Sequence, residues 1–314
     1  MGKTALSLEL ARLLGVEIIS ADSMQVYRGM DIGSAKISPR EMQGIPHHLI
    51  DVLDPGQDFN VVVFQKLCRQ AMEGIYEREH IPILTGGTGF YIQAVLRDID
   101  FTENEENTGY RRQLEQLAAE EGPQVLHDML AAVDPAAAQA IHAHNVKRMI
   151  RALEFHYLTG EKISEHNERE AERQSPYRYC YFVLNDDRER LYRRIEERVD
   201  RMLEEGLVEE VRRLMDRGCR RAMVSMQGLG YKEIRDYLAG EITVEEAVYR
   251  IKRDTRHFAK RQLTWFRREK DVIWINKPDF GYDDKKILEA MQQYLQTAGI
   301  FFTMPSGSCI LTND

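Results

Sequence analysis

The chain has 314 residues, 43% of them hydrophobic, with 21 glycines and 9 prolines, a composition that excludes a disordered chain, a collagen and a low-complexity linker. The length suits one large domain or two smaller ones, at roughly 100 to 200 residues each. Lys and Arg number 43 against 51 Asp and Glu, a formal charge of −8, which taken whole disfavours a polyanionic partner. The distribution differs from the total: residues 188–268 carry 21 Lys and Arg against 15 Asp and Glu, a locally basic half that can face nucleic acid.

In chain order, Leu6, Leu10, Leu13 and Leu14 fall at helical spacing over 4–14, with Gly15 placed to cap the C-terminus. The β-branched run Val16 to Ser20 reads as a strand ending at Ala21-Asp22-Ser23. Phe64, Leu67, Cys68, Ala71 and Ile75 mark a second helix, and Ile81 to Leu84 a buried strand running into Thr85-Gly86-Gly87-Thr88-Gly89. This alternation predicts an α/β fold with a parallel sheet. From about 102 to 174 the sequence becomes charged, Ala-rich and helical, broken at Asp134-Pro135 and His144-Asn145. A strand returns at 179–184, followed by long helices over 188–268, a last strand at 272–275 and a helix near 285–296. The organisation expected is a first part of the core at 1–103, an inserted all-helical subdomain at 104–174, the rest of the core with basic C-terminal helices at 175–300, and a disordered tail at 301–314.

No apolar run approaches the about 20 residues that cross a bilayer, and charged side chains at Lys3, Glu9, Arg12 and Glu17 stand where a signal peptide would be apolar. Cys68, Cys180, Cys219 and Cys309 form no C-x-x-C pair, and His47-His48 and His142/His144 lack ligand companions at metal spacing. A cytoplasmic protein with reduced thiols, structural histidines and no membrane segment is expected.

Gly2-Lys3-Thr4 before a helix is the back half of G-x-x-x-x-G-K-[ST], in which backbone amides and the Lys cradle phosphate and the hydroxyl holds Mg²⁺. The front half of the motif and the strand that would carry it fall before Met1. A chain without that central strand is expected to be poorly stable and weak in diphosphate binding. By itself G-K-T is equally an ordinary helix start, Asp22-Ser23 a turn cap, and G-G-T-G a strand-to-helix turn.

Together with Ala21-Asp22-Ser23-Met24-Gln25-Val26-Tyr27-Arg28-Gly29-Met30-Asp31-Ile32-Gly33-Ser34-Ala35-Lys36, Gly44-Ile45-Pro46-His47-His48-Leu49-Ile50-Asp51, Gly86 to Tyr91 and Ala259 to Arg267, these residues resemble the tRNA dimethylallyltransferase family, over about residues 2–274. The resemblance implies a P-loop-type core and transfer of the dimethylallyl group of dimethylallyl diphosphate to the exocyclic amine of the adenosine 3′ of the anticodon. It implies Asp22 as general base, diphosphate held by Gly2, Lys3, Thr4 and Lys232, and Mg²⁺ on Thr4. It assigns tRNA contact to Asp22, Ser23, Met24, Gln25, Thr88, Arg111, Arg148 and Arg151, in a monomer gripping the anticodon loop. Where Lys232 stands, bacterial relatives often have Arg, so this chain keeps the charge and loses the bidentate fork. The rival readings are a small-molecule P-loop kinase, an isopentenyltransferase using free adenine nucleotides, and a non-catalytic RNA-binding relative.

Overall fold

The computed structural model describes residues 2–101 and 109–300; the tail expected at 301–314 lies outside them. Helix α1 (Lys3–Leu14) buries Leu6, Leu10 and Leu14 and leaves Leu13 exposed. Gly15 ends it in a left-handed conformation (φ 63°), its N–H bonded to the Ala11 carbonyl. Strand β1 (Glu17–Ala21) is buried at every residue. The short helix α2 (Pro39–Met42) opens with a capping box in which Ser38 and Glu41 satisfy each other's backbone amides. Strand β2 (His47–His48), helix α3 (Val61–Glu77), strand β3 (Pro82–Gly86) and helix α4 (Gly89–Leu96) follow. Helices α5 (Gly109–Glu121), α6 (Pro123–Val133), α7 (Pro135–Ala140), α8 (Val146–Thr159) and α9 (Ile163–Glu172) come next. The chain then runs through β4 (Tyr181–Asn185), α10 (Arg188–Glu204), α11 (Leu207–Asp216), α12 (Tyr231–Leu238), α13 (Val244–Phe266), β5 (Val272–Asn276) and α14 (Asp284–Thr297).

The chain divides into two compact units, Met1–Val95 with Tyr177–Asp314, and Leu96–Pro176. The second is all helical among the described residues and begins eight residues before the expected 104. Its core gathers Leu114, Leu126, Leu130, Met149 and Leu153. Asp134 joins its helices: its carboxylate caps α7 at the Ala137 amide and accepts from the Ser164 amide (2.9 Å) and hydroxyl (2.7 Å) at the start of α9.

In the first unit all strand pairings are parallel, but the strands form two sheets rather than the single one expected. One has the order β2-β1-β3 and the other pairs β4 with β5. Among the described residues no strand joins β3 to β4, and the two sheets share one apolar cluster through α1 and α14, with Leu8, Ile18, Leu184, Ile275 and Ile287 at its centre. Beneath the C-terminal end of β1, Tyr27, Phe59, Phe64 and Tyr91 form an aromatic cluster, Phe64 stacked on Tyr91 with centroids 4.6 Å apart and Tyr27 set edge-on to Phe59.

The opposite end of β1 carries a buried carboxylate. Glu17 accepts both Nε and Nη2 of Arg78 at 2.8 Å and lies 2.7 Å from His48 Nε2 and 3.2 Å from His80 Nδ1. Hydrogen bonding from Arg78 outweighs burial and, with the two histidines, brings the carboxyl from 4.5 to about 2. Both expected structural roles of His47-His48 are visible here, His47 through Nδ1 against the Ile45 carbonyl.

A carboxylate whose folded value is depressed stabilises the fold above its ordinary value, and that contribution is lost as pH falls through the folded one. Thermal unfolding followed from pH 7 to pH 2 should therefore show wild type losing its advantage over Glu17→Gln between about pH 4.5 and about pH 2. At pH 7 the substitution should cost about 2 kcal/mol, a figure reduced because the Arg78 partner is half exposed.

Candidate active site at the ends of β1 and β3

Parallel strands in an open sheet bring their C-terminal ends to one edge, where ligands bind. The pairing of Ala21 with Gly86 places Asp22 beside Gly87, and the Thr88 amide closes the junction by donating to the Ala21 carbonyl at 3.4 Å. A Cβ on Gly86 would sit 2.1 Å from that same carbonyl oxygen, so only glycine allows the two strand ends to approach this closely.

Helix α1 points its N-terminus at this edge. Gly2 caps it in the left-handed region (φ 78°) with no side-chain hydrogen bond, leaving first-turn amides available to an anion. Lys3 is half-buried and donates from Nζ to the Gly86 carbonyl at 3.0 Å. Desolvation pushes its ammonium below the ordinary lysine value; Asp22 opposes that shift and Arg198 adds to it. Arg198 on α10 keeps contact with solvent, yet the protein packed around it lowers its guanidinium from the usual arginine range, again with Asp22 opposing. Lys3, Asp22 and Arg198 thus lie close enough to feel one another's charge, a carboxylate and two cations at one strand end.

The Asp22 carboxylate uses one oxygen to hold its own turn. Oδ1 accepts from the amides of Met24 (2.8 Å) and Gln25 (3.3 Å), while Oδ2 takes no hydrogen bond among the described residues. The turn-cap reading of Asp22 and its availability to a substrate are therefore compatible, each belonging to a different oxygen. Ser23 is half-buried in the same turn, and the Met24 thioether packs on Gly228, where an added Cβ would be 2.5 Å from Met24 Cε.

Helix α13 closes the glycine turn. Gln262 Nε2 donates to the Gly87 carbonyl at 2.6 Å, and Cβ atoms on Gly87 and Gly89 would lie 2.2 Å from Gln262 Nε2 and 2.3 Å from the Trp265 ring. Trp265 Nε1 is buried with no acceptor among the described residues. The Thr88 carbonyl accepts the amides of Tyr91 (2.9 Å) and Ile92 (3.3 Å) at the start of α4, and the residue is half-buried.

Other expected site residues have partners inside the protein. Gln25 receives Ser20 Oγ on its side-chain oxygen (3.1 Å) and donates Nε2 to the Ser34 (3.5 Å) and Ala35 (3.3 Å) carbonyls, so its amide braces a loop. Arg111 is forked onto the fully buried Glu154 through Nε and Nη2, which makes it a fastener between α5 and α8. Lys232 lies 3.3 Å from Glu233 and 4.0 Å from Asp254. Arg148 is exposed and Arg151 half-buried, both on α8 of the helical unit. Among the described residues no group of three or more His, Cys, Asp or Glu is placed to hold a metal, and no helix is long and apolar enough to cross a membrane.

Arg198 and Gln262 were not singled out by the sequence as site residues. Gln262 could have been found as the uncharged position in the basic Lys260-Arg261 stretch that carries part of the resemblance, whereas nothing local separates Arg198 from the arginines around it.

The IPP transferase family model matches residues 25–269. The chain belongs to the IPP transferase family. It is 58% identical over 292 residues to the tRNA dimethylallyltransferase of Lachnoclostridium phytofermentans, covering 93% of each chain. The crystal structure of the full-length tRNA isopentenylpyrophosphate transferase from Bacillus halodurans superposes with a TM-score of 0.70 at 45% identity, over 95% of this chain and 94% of that one. A eukaryotic dimethylallyltransferase described as acting on tRNA gives a TM-score of 0.80 at 28% identity, covering 97% and 78%. In this family member the described residues form an α/β unit and a separate all-helical one.

The glycine turn offers a stability test. Gly86→Ala should destabilise the protein by about 3 kcal/mol or more in denaturant unfolding, because the Ala21 carbonyl oxygen cannot yield without parting the strands. Gly56→Ala, where an added Cβ meets nothing within 4 Å, should stay within about 0.5 kcal/mol of wild type.

Proposed function

We propose that this chain transfers the dimethylallyl group of dimethylallyl diphosphate to the exocyclic amine of the adenosine 3′ of the anticodon in tRNA and releases diphosphate. The observation that carries the reading is Lys3, held against the Gly86 carbonyl opposite Ala21, meeting the Asp22 carboxylate at the open first turn of α1, with the exposed Arg198 near enough to feel the same charge. The transferase names of the matched relatives favour prenyl transfer over the kinase reading.

In the reaction the amine nitrogen forms a bond to C1 of the dimethylallyl group as the bond from C1 to the diphosphate oxygen breaks, the electron pair leaving with diphosphate. The α1 amides, Lys3 and Arg198 neutralise the charge that develops on that leaving group, and their partial desolvation strengthens each interaction. An adenine amine is a weak nucleophile because its lone pair is delocalised into the ring. Asp22 Oδ2, the oxygen not engaged in the turn, accepts the proton that the amine sheds. Thr4 is exposed on the first turn of α1 and its hydroxyl makes no hydrogen bond among the described residues, a setting that suits a hard cation shared with phosphate oxygens. Mg²⁺ held there would add charge neutralisation when bound.

The target base sits in a stacked loop and must be unstacked to reach Asp22, a cost of a few kcal/mol that contacts to the surrounding loop offset. Ser23 and Met24 follow that carboxylate in the same half-buried turn, and in the helical unit by itself the exposed Arg148, with Arg151 one turn further along α8, suits contact with RNA phosphate. The reading places the enzyme in the cytoplasm as a monomer.

Asp22→Ala should lower the single-turnover rate of prenyl transfer by about 10²-fold or more while tRNA affinity, measured on the same preparation, stays within about twofold. Unchanged transfer would remove Asp22 from the chemistry. In a filter-binding salt series, Arg148→Ala should flatten the slope of log affinity against log salt by up to about 0.7, one phosphate contact in a single-stranded loop. A slope equal to wild type would return Arg148 to the solvated face of its helix.

A further inference from the structure

Residues Asp31, Ile32 and Gly33 belong to no helix or strand, yet all three amides end on one buried carboxylate from α11. Glu210 Oε2 accepts from Asp31 N (2.9 Å) and Ile32 N (2.8 Å), and Oε1 accepts from Gly33 N (3.1 Å). A fourth donor, the buried Tyr231 hydroxyl at the start of α12, reaches Oε1 at 2.7 Å. The Tyr231 ring also sits against Gly33, where an added Cβ would be 2.6 Å away. Glu210 is only 2% exposed, and a buried carboxylate is tolerated because these four donors replace the water it gives up.

The loop anchored in this way passes the constraint on. Its next two carbonyls, Ser34 and Ala35, receive the Gln25 side-chain amide, Gln25 is held from its other side by Ser20, and the Gln25 backbone amide donates to Asp22 Oδ1. Lys36, at the loop's end, is 4% exposed in its side chain and bonds the Tyr27 carbonyl, Asp31 and Asp51 at 2.6 to 2.7 Å, which fixes the far end of the same segment. The hydrogen bonds therefore run without interruption from Glu210 through residues 31–35 and Gln25 to the carboxylate at the strand end.

We propose that Glu210, seated by Tyr231, is a positioning residue for Asp22: it fixes the 31–35 loop, and through Gln25 sets the direction in which Asp22 Oδ2 faces the acceptor amine. This rests on the assignment of Asp22 as the proton acceptor in prenyl transfer, and it adds to that assignment a support lying about 180 residues away in sequence. Glu210 touches neither diphosphate nor base in this account, so its loss acts on the rate of the chemical step and leaves substrate binding in place.

The test uses Glu210→Gln, which keeps the shape and turns one acceptor into a donor facing the loop amides, and Tyr231→Phe, which keeps the ring on Gly33 and removes the fourth donor. In single-turnover transfer Glu210→Gln should be slower by about 10-fold, with KM for both substrates within about twofold of wild type, and Tyr231→Phe slower by a smaller factor. Combined with Gln25→Leu, Glu210→Gln should give a rate no lower than the slower single variant within about twofold, since both cut one chain of contacts. Amide hydrogen exchange on the same proteins should be faster at Met24 and Gln25, and unaltered along β3. Independent, multiplying rate losses, or faster exchange confined to residues 31–33, would overturn the proposal. Should wild type transfer no prenyl group, the functional reading fails by itself, and the exchange at Met24 and Gln25 still decides whether Glu210 holds the Asp22 turn. If Glu210→Gln does not fold, Tyr231→Phe carries both readouts.

Discussion

Strand β1 has no solvent-facing side: all five of its residues are buried, and it is hydrogen-bonded along one edge to β3 and along the other to β2. A strand so enclosed cannot slip by one residue without turning Ile18 and the other side chains to the wrong face. Its two ends are therefore fixed points, and the protein has placed a carboxylate at each. Glu17 is neutralised by Arg78 and two histidines and serves the fold. Asp22 emerges into a turn that occupies one oxygen and leaves the other open.

The electrostatics of the Asp22 end follow from that geometry. Lys3 is drawn against the Gly86 carbonyl, which the register puts opposite Ala21, and so comes within reach of Asp22. Desolvation makes Lys3 less comfortable as a cation than it would be in water, with Asp22 supplying partial relief, and the exposed Arg198 adds positive charge nearby. In the proposed reading a diphosphate at the first turn of α1 would supply more, because it would also meet amides that have no partner in the helix. An arrangement of that kind would be preorganised for charge that appears on a leaving group, the condition under which electrostatic catalysis is strongest.

Much of the frame was readable from local pattern. The α1 stripe, the β-branched β1, the run into Gly86-Gly87 and the breaks at Asp134-Pro135 and before Val146 all fall within one or two residues of observed boundaries, because each depends on side chains a few residues apart. Strand β2 was not, since two half-buried histidines carry no strand signature and pair with β1 only once it exists. The same limit applies to the site. Asp22 and Lys3 lie in short motifs, whereas Arg198 and Gln262 arrive from helices more than 170 residues away, and the clamp of Glu210 on residues 31–33 spans a similar distance. Arg111 shows the converse: its motif position suggested an RNA contact, and the structure gives it a buried carboxylate that no spacing rule could foresee. Sequence pattern finds residues whose role is set by neighbours, and misses those whose role is created by packing.

The central claim is that Lys3, Arg198 and the α1 amides form one diphosphate site with Asp22 beside it. A crystal structure of the protein with an unreactive thio analogue of dimethylallyl diphosphate and an anticodon stem-loop tests it most directly. The account predicts the diphosphate at the first turn of α1, in contact with Lys3 and Arg198, and the exocyclic amine of the adenosine within hydrogen-bond distance of Asp22 Oδ2. Diphosphate bound elsewhere, or an adenosine whose amine faces away from Asp22, would contradict it.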